Sequence, residues 1–398
     1  MNPQVERLYT LSKKDNRLII GLMSGTSLDG LDIALCHIQH SGTETQLELL
    51  HFVTKVYTED FRSGMREVFA KRQIDQQKLS GLHAFIGRVH GQLIAEALEG
   101  WNISNTEIDL IASHGQTVYH APRRLTGDLM MPDSTLQIGD ADHIAMRTGI
   151  ITVSDFRQKH IAAGGEGAPL AAYGDYLLYT SARENRILLN IGGISNFTFL
   201  PQRGSSLQAF ATDVGPGNTI MNQYMSKYFG KEMDENGEIA ASGTIQQDLL
   251  ESLLDEDFLR AKFPKTTGPE LFNLDYLDKK IAETGKRNGK AADIMATLNA
   301  FSAGTIVNAI QEVARGMENV MVYGSGGGIH NSVLVGAIQQ GLPGMKFENI
   351  AVLGMNPDAK EACLFALLAN ETVAGSPKNS GNIKDSPPVC MGKISFPQ

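Results

Sequence analysis

The sequence predicts a duplicated α/β protein built from two topologically alike halves, and three observations carry that expectation. Leu18–Ile19–Ile20–Gly21–Leu22–Met23 and Leu31–Asp32–Ile33–Ala34–Leu35–Cys36 are apolar runs on either side of Ser24-Gly25-Thr26-Ser27-Leu28-Asp29-Gly30. Two such runs around a small, polar, glycine-rich turn read as a β-hairpin. A second hairpin of the same character follows, with Ile187–Leu188–Leu189–Asn190–Ile191 entering Gly192-Gly193-Ile194-Ser195 and Asn196–Phe197–Thr198–Phe199–Leu200 returning. Each hairpin then has a distant partner, a short apolar strand that runs into a glycine turn. These are Asp109–Ala112 into Ser113-His114-Gly115-Gln116-Thr117, and Asn319–Tyr323 into Gly324-Ser325-Gly326-Gly327-Gly328.

Helical periodicity precedes both of these strands, over Leu79–Leu98 and Ala291–Met317. The order hairpin, helices, strand and glycine turn therefore occurs twice, which predicts two halves facing each other across a cleft. Glycine turns after strands are common in α/β proteins. The repeated order favours duplication, because a doubly wound sheet rarely opens with a hairpin.

A chain of 398 residues suits two domains. The expected division is 1–150, with the tail 375–398 packed on it, and 151–374. Pro377, Pro387, Pro388 and Pro397 break Ser376–Gln398 too often for a helix, so that segment reads as an extended tail. The formal net charge of −9, without a Lys/Arg run, disfavours binding to nucleic acid or to an anionic membrane surface. No apolar stretch is long enough to span a bilayer, and Met1–Asn16 lacks the apolar core of a signal peptide. Cys36, Cys363 and Cys390 have neither zinc spacing nor a disulfide framework. They read as reduced thiols, Cys36 being a core residue, and the expected location is cytoplasmic. A homodimer is left open.

Four segments can carry chemistry. In Ser24–Gly30, glycines permit close backbone approach, and consecutive N–H groups with three hydroxyls can surround phosphate oxygens. A plain Ser- and Gly-rich turn reads equally well there. Three consecutive glycines, Gly326, Gly327 and Gly328, directly after a buried strand suit a flat purine or its ribose lying on the main chain. In Thr212-Asp213-Val214-Gly215-Pro216-Gly217-Asn218-Thr219 a carboxylate precedes a stiff turn, and a helix starting near Asn218 could offer its N–H groups to a phosphate. The simpler reading is an Asp that caps that helix. Arg157 presents a planar fork of donors for a sugar hydroxyl, carboxylate or phosphate, with Asp155 able to hold it in place. Glu361, at the start of an apolar helix Ala362–Ala369, reads on periodicity alone as a dipole-stabilising residue.

Taken together, Gly21–Gly30, His114-Gly115-Gln116-Thr117, Asp155-Phe156-Arg157, Gly164-Gly165-Glu166-Gly167-Ala168-Pro169-Leu170 and Asp213–Asn218 closely resemble the anhydro-N-acetylmuramic acid kinases, a family that includes levoglucosan kinase. The motifs occur in order between about residue 18 and residue 370. The resemblance implies an actin-like/hexokinase-like (ribonuclease H-like) two-domain ATPase fold that binds ATP and Mg²⁺ in the interdomain cleft. It implies a reaction in which water opens the 1,6-anhydro ring while the γ-phosphoryl group moves to O6, a step in recycling cell-wall fragments.

Residue by residue, the family pattern makes Asp213 the catalytic base, with Arg157 beside the reacting atoms. Ser24, Gly25, Thr26, Ser27, Asp29 and Gly30 would cradle the phosphates, together with Gly192, Gly193, Gly215, Gly217 and Asn218, while Gly326–Gly328 would face the adenosine. His114, Gly115, Gln116, Thr117, Arg157, Gly165 and Asp213 would line the anhydrosugar site. Glu361, with Asp213, would lie near Mg²⁺. The chain departs from the family pattern at His160 (commonly Asp), Glu166 (commonly Gln) and Thr212/Val214 (commonly Phe and Thr), all close to the expected sugar site. His160 reads as a surface or structural histidine, and His114 as a sugar contact or structural hydrogen-bonder. Two other readings stay open: a kinase for another anhydrosugar or an ordinary sugar, and a nucleotide-binding sensor without turnover.

Overall fold

A computed structural model of the chain describes residues 1–398 apart from Leu129, Pro169, 285–289, Met355 and Gly381. Pro169 of the expected 164–170 motif therefore lies outside the described residues. Strands β1 (Asn16–Ser24), β2 (Gly30–Gln39) and β3 (Gln46–Val56) form an antiparallel meander. β4 (Leu110–Ala121) runs parallel to β1, β5 (Ser134–Ile138) pairs with the outer part of β4, and β6 (Thr152–Ser154) runs parallel to β4. β1 is central and buried along nearly its whole length, which is why it reads as a continuous apolar run; β3, at the edge, does not.

The second sheet repeats the plan. β7 (Asn185–Ile191), β8 (Ile194–Leu200) and β9 (Phe210–Pro216) form the meander, and β10 (Val320–Ser325) and β11 (Lys346–Asn349) extend it in parallel on the other side of β7. The first sheet thus runs β3-β2-β1-β4-β6, with β5 off this path on β4, and the second runs β9-β8-β7-β10-β11, so each has an antiparallel meander flanked by two parallel strands. Two copies of this pattern in one chain make the actin-like/hexokinase-like fold. A final strand, β12 (Lys393–Ser395), pairs antiparallel with β6.

The compact units are 1–178 with 355–398, and 179–354. The expected division at 150 and 374 differs from this for a physical reason. β6 hydrogen-bonds into the first sheet, and the helix Lys360–Ala374 packs on β1, β2 and β4, so 151–178 and 355–374 go with the N-terminal unit. The sheet of that unit is covered on both faces. Side chains alternate along β1, so Ile20 and Leu22 join the cluster that includes Ile86 and Ile94 of helix Gln76–Trp101, while Gly21 faces the helix Lys360–Ala374. The second unit has its own core, where Leu298, Phe301 and Ile306 of helix Ala291–Val313 join Leu189, Phe197 and Phe199. No helix among the described residues is long and apolar enough to cross a membrane.

Gly21 is the point of closest approach in the N-terminal unit: a Cβ there would lie 1.9 Å from the Ala362 carbonyl oxygen. That obstacle is helix backbone, which cannot rotate aside. Gly21→Ala is expected to cost about 3 kcal/mol or more of stability, read as a lowered midpoint in urea unfolding. A midpoint unchanged from wild type would show that the helix can lift without penalty.

Candidate active site

In the N-terminal unit, the β1–β2 turn exposes Thr26, Ser27 and Asp29 and half-exposes Gly25 and Gly30, while Leu28 anchors it in the core. Ser24 behaves differently from its expected role. It is 1% exposed, donates to Gln116 Oε1, and exchanges a hydrogen bond of 2.7 Å with the Tyr57 hydroxyl. Gln116 is fully buried, and its Nε2 donates to the Gly25 carbonyl at 3.1 Å. Neither side chain is presented to a ligand, so the expected phosphate and sugar contacts of Ser24 and Gln116 become internal ones. Thr117 likewise accepts from Gln137 Nε2 at 3.3 Å.

Arg157 organises the neighbouring loop. Its Nε donates to His114 Nε2 at 3.1 Å and its Nη1 to the Gly167 carbonyl at 2.8 Å. Asp155, expected to hold Arg157, instead pairs with Lys393 of the tail. His114 is buried against Phe365, with ring centroids 4.8 Å apart. Burial, aided by the Arg157 charge, lowers its pKa to about 3, so the ring is neutral and suits a structural role. His160 is also buried, and its Nδ1 accepts from the Gly167 N–H at 2.9 Å. A Cβ at Gly165 would lie 2.1 Å from His160 Cε1, so the ring and the glycine loop fit only as a pair. Glu166 forms an ion pair with Arg124 at 2.8 Å. A cavity of about 200 Å³ lies beside this network, lined in part by His114, Gly115, Asp155, Ser113 and His83.

Glu361 starts the helix that packs on β1. Desolvation pushes its carboxyl up, Arg157 opposes that, and Asp32 of β2 adds a like-charge repulsion. Asp32, held by the Thr54 hydroxyl at 2.6 Å, was not singled out by the sequence reading. Its strand alternation against Met23 was the available signal, since that pairing puts it beside the turn. Among the described residues no group of three His, Cys, Asp or Glu side chains converges as a ready-made metal site.

In the second unit, Asp213 sits half-buried on β9. Its N–H donates to the Lys265 carbonyl and its Oδ2 accepts from the Thr267 N–H, both at 3.0 Å. Desolvation raises its carboxyl above the ordinary aspartate range; the Thr267 bond opposes this and Glu270 reinforces it. The segment Pro264-Lys265-Thr266-Thr267-Gly268 was overlooked in the sequence, although its Pro and Gly bracket a stiff polar stretch. The three amides that lead into helix Thr219–Phe229 are already occupied. Gly217 and Thr219 donate to the Gly193 carbonyl and Asn218 to that of Gly192, at 2.8 to 3.0 Å. Gly192, Gly193, Gly217 and Asn218 are therefore bound to one another, and Gly215 packs on Thr305. Gly326 and Gly327 are exposed at the end of β10, and Gly328 is pressed on Ile191.

A family model described as anhydro-N-acetylmuramic acid kinase matches residues 17–395. The chain belongs to the anhydro-N-acetylmuramic acid kinase family. Proteins of that name from Pseudoalteromonas atlantica and Pseudoalteromonas translucida are 52% and 50% identical, each alignment covering 100% of both chains. One from Caldanaerobacter subterraneus is 38% identical over 98% of this chain and 100% of its own. Within this kinase family, the departures at His160 and Glu166 are accommodated locally, by the Gly165 contact and the Arg124 ion pair.

Lysine cannot reproduce the two-sided bridge of Arg157, because its single ammonium cannot reach the His114 and Gly167 acceptors as a planar fork does. Arg157→Lys is expected to lower kcat/KM about 100-fold, measured as ADP release, with a modest fall in melting temperature. Near-wild-type kcat/KM would remove Arg157 from the site.

Proposed function

We propose that this chain uses ATP and water to open the ring of 1,6-anhydro-N-acetylmuramic acid, forming N-acetylmuramic acid 6-phosphate and ADP. The observation that carries the reading is Asp213: a half-buried carboxylate of raised proton affinity, pinned by backbone groups of residues 265 and 267. An anhydrosugar has no free O6 hydroxyl, so O6 becomes a nucleophile only as C1 is attacked. Asp213 takes a proton from water aimed at C1, the C1–O6 bond breaks, and O6 accepts the γ-phosphoryl group. Fixed aim matters here, because small displacements of a base are expensive.

Arg157 keeps His114 and the Gly167 loop in place and leaves Nη2 for a substrate oxygen. The exposed turn residues Thr26 and Ser27 would meet the phosphates, and Gly326 and Gly327 would meet the nucleoside. Glu361 and Asp32 are the residues that would hold Mg²⁺, whose role is to neutralise phosphate charge. Two carboxylates without a closed cage suit an ion that keeps most of its shell as water and phosphate oxygens.

Asp213→Asn is expected to retain binding of ATP and sugar while kcat falls by about 10³-fold; an unchanged kcat would exclude Asp213 as the base. In the wild type, the base must be ionised, so kcat should fall as pH drops through a pKa above the ordinary aspartate value of about 4. A kcat flat down to that value would contradict the raised carboxyl. Turnover in ¹⁸O-water should place the label at C1 of the product, and label absent from C1 would indicate phosphorylation of a pre-existing hydroxyl.

A further inference from the structure

A polar chain runs through the interior of the N-terminal unit, and its hydrogens can be assigned by elimination. The Gly25 carbonyl only accepts, so the Gln116 atom 3.1 Å from it is the amide nitrogen, and Gln116 Oε1 faces Ser24. Oε1 only accepts, so the Ser24 hydroxyl donates to it. Ser24 has one hydrogen, so the 2.7 Å bond to Tyr57 must be donated by the tyrosine hydroxyl. Tyr57 also has one hydrogen, so at 2.9 Å it is His90 that donates, through Nε2. The His90 ring is then neutral with a bare Nδ1, and Nδ1 has no partner among the described residues. Full burial, which lowers the His90 pKa to about 3, agrees with that form.

All four bonds point the same way, from helix Gln76–Trp101 to the first carbonyl of the exposed turn. His90 is 0% and Tyr57 4% exposed, so neither touches a ligand. Tyr57 is held by its ring, stacked 3.8 Å from that of Phe61, and its N–H donates to the Asp29 carbonyl at the far end of the same turn. The turn is thus gripped at both ends by one residue, its backbone at Asp29 and its hydroxyl at Ser24.

We infer that Tyr57 and His90 are positioning residues that set the conformation of the Gly25–Asp29 turn for the phosphates of the nucleotide. This rests on the kinase reading above. Aromatic and histidine side chains at such distances from the glycine motif carry no periodic or motif signal, which is why the sequence did not point to them.

The experiment compares Tyr57→Phe, His90→Leu, His90→Gln and the double variant Tyr57→Phe/His90→Leu. Binding of the non-hydrolysable analogue AMPPNP with Mg²⁺ is measured by calorimetry, steady-state KM and kcat by ADP release, and stability by urea unfolding. Tyr57→Phe and His90→Leu should each weaken AMPPNP and raise KM for ATP about tenfold, with kcat changing less. The amide of glutamine can still donate to Tyr57, so His90→Gln should remain within about threefold of wild type. In the double variant both ends of one bond are gone, so its loss of stability should be smaller than the sum of the single losses while KM stays raised, a split that a purely structural role does not give. AMPPNP affinity equal to wild type in folded Tyr57→Phe, or KM recovering along with stability in the double variant, would overturn the inference. Failure of the wild-type chain itself to bind AMPPNP would overturn the kinase reading and the inference with it.

Discussion

The N-terminal unit depends on one close approach, the helix Lys360–Ala374 lying against β1 where Gly21 has no side chain. Almost everything that shapes the site of this unit hangs from that helix. Glu361 leaves its first turn, Phe365 supports both His114 and Phe156, and Cys363 meets Cys36 of β2 with 3.6 Å between the sulfurs. Further along, Asn370 accepts from the buried Arg17, and Glu371 accepts from the Gly42 N–H. A residue late in the chain is thereby fixed against strands formed by the first forty. The packing explains why the boundaries of the units cannot follow the linear order of the motifs.

A second regularity is that polar groups close to the site are largely occupied with one another. Ser24, Gln116 and His114 are buried and bonded internally, and the amides of Gly217, Asn218 and Thr219 hold the Gly192–Gly193 turn. A buried polar atom without a partner is costly, and most of the layer beneath the turn is paired, Nδ1 of His90 and of His114 being exceptions among the described residues. Exposed above these layers are Thr26 and Ser27 in the N-terminal unit and, in the second unit, Gly326 and Gly327, with Asp213 half-buried. The motif therefore divides into exposed residues and buried residues that hold those in place.

This division also marks how far the sequence could be read. The hairpins, both glycine-ended strands and the duplication were legible because period and punctuation are local signals. The membership of β6 was not, since pairing with β4 some forty residues away leaves no local trace, and the edge strands β3 and β9 lack the continuous apolar run that marks a central strand. Asp213 and Arg157 stood out in the sequence through their motifs, and Glu361 only through the family resemblance. The motif could not tell that Ser24 faces inward, or that Asp155 pairs with Lys393. Tyr57, His90, Asp32 and Thr267 act through distance alone, and three of those four belong to stretches with ordinary strand, turn or helix composition.

Electrostatics closes the argument. Each unit presents a carboxylate with raised proton affinity near a like charge, Glu361 by Asp32 and Asp213 by Glu270, in a chain of net charge −9. Each such pair repels a bare triphosphate, so under the proposed reaction the anion is expected to be bound together with a counter-ion rather than by a cluster of basic side chains. Arg157 fits this scheme because two of its three nitrogens are already fixed to His114 and Gly167, leaving a directed donor rather than a diffuse charge. In the proposed reaction, Asp213 would use its negative environment in the opposite way. A carboxylate whose proton affinity is raised by desolvation and by Glu270 is a stronger base toward water than an exposed one, and the Thr267 amide keeps that gain from costing it its aim.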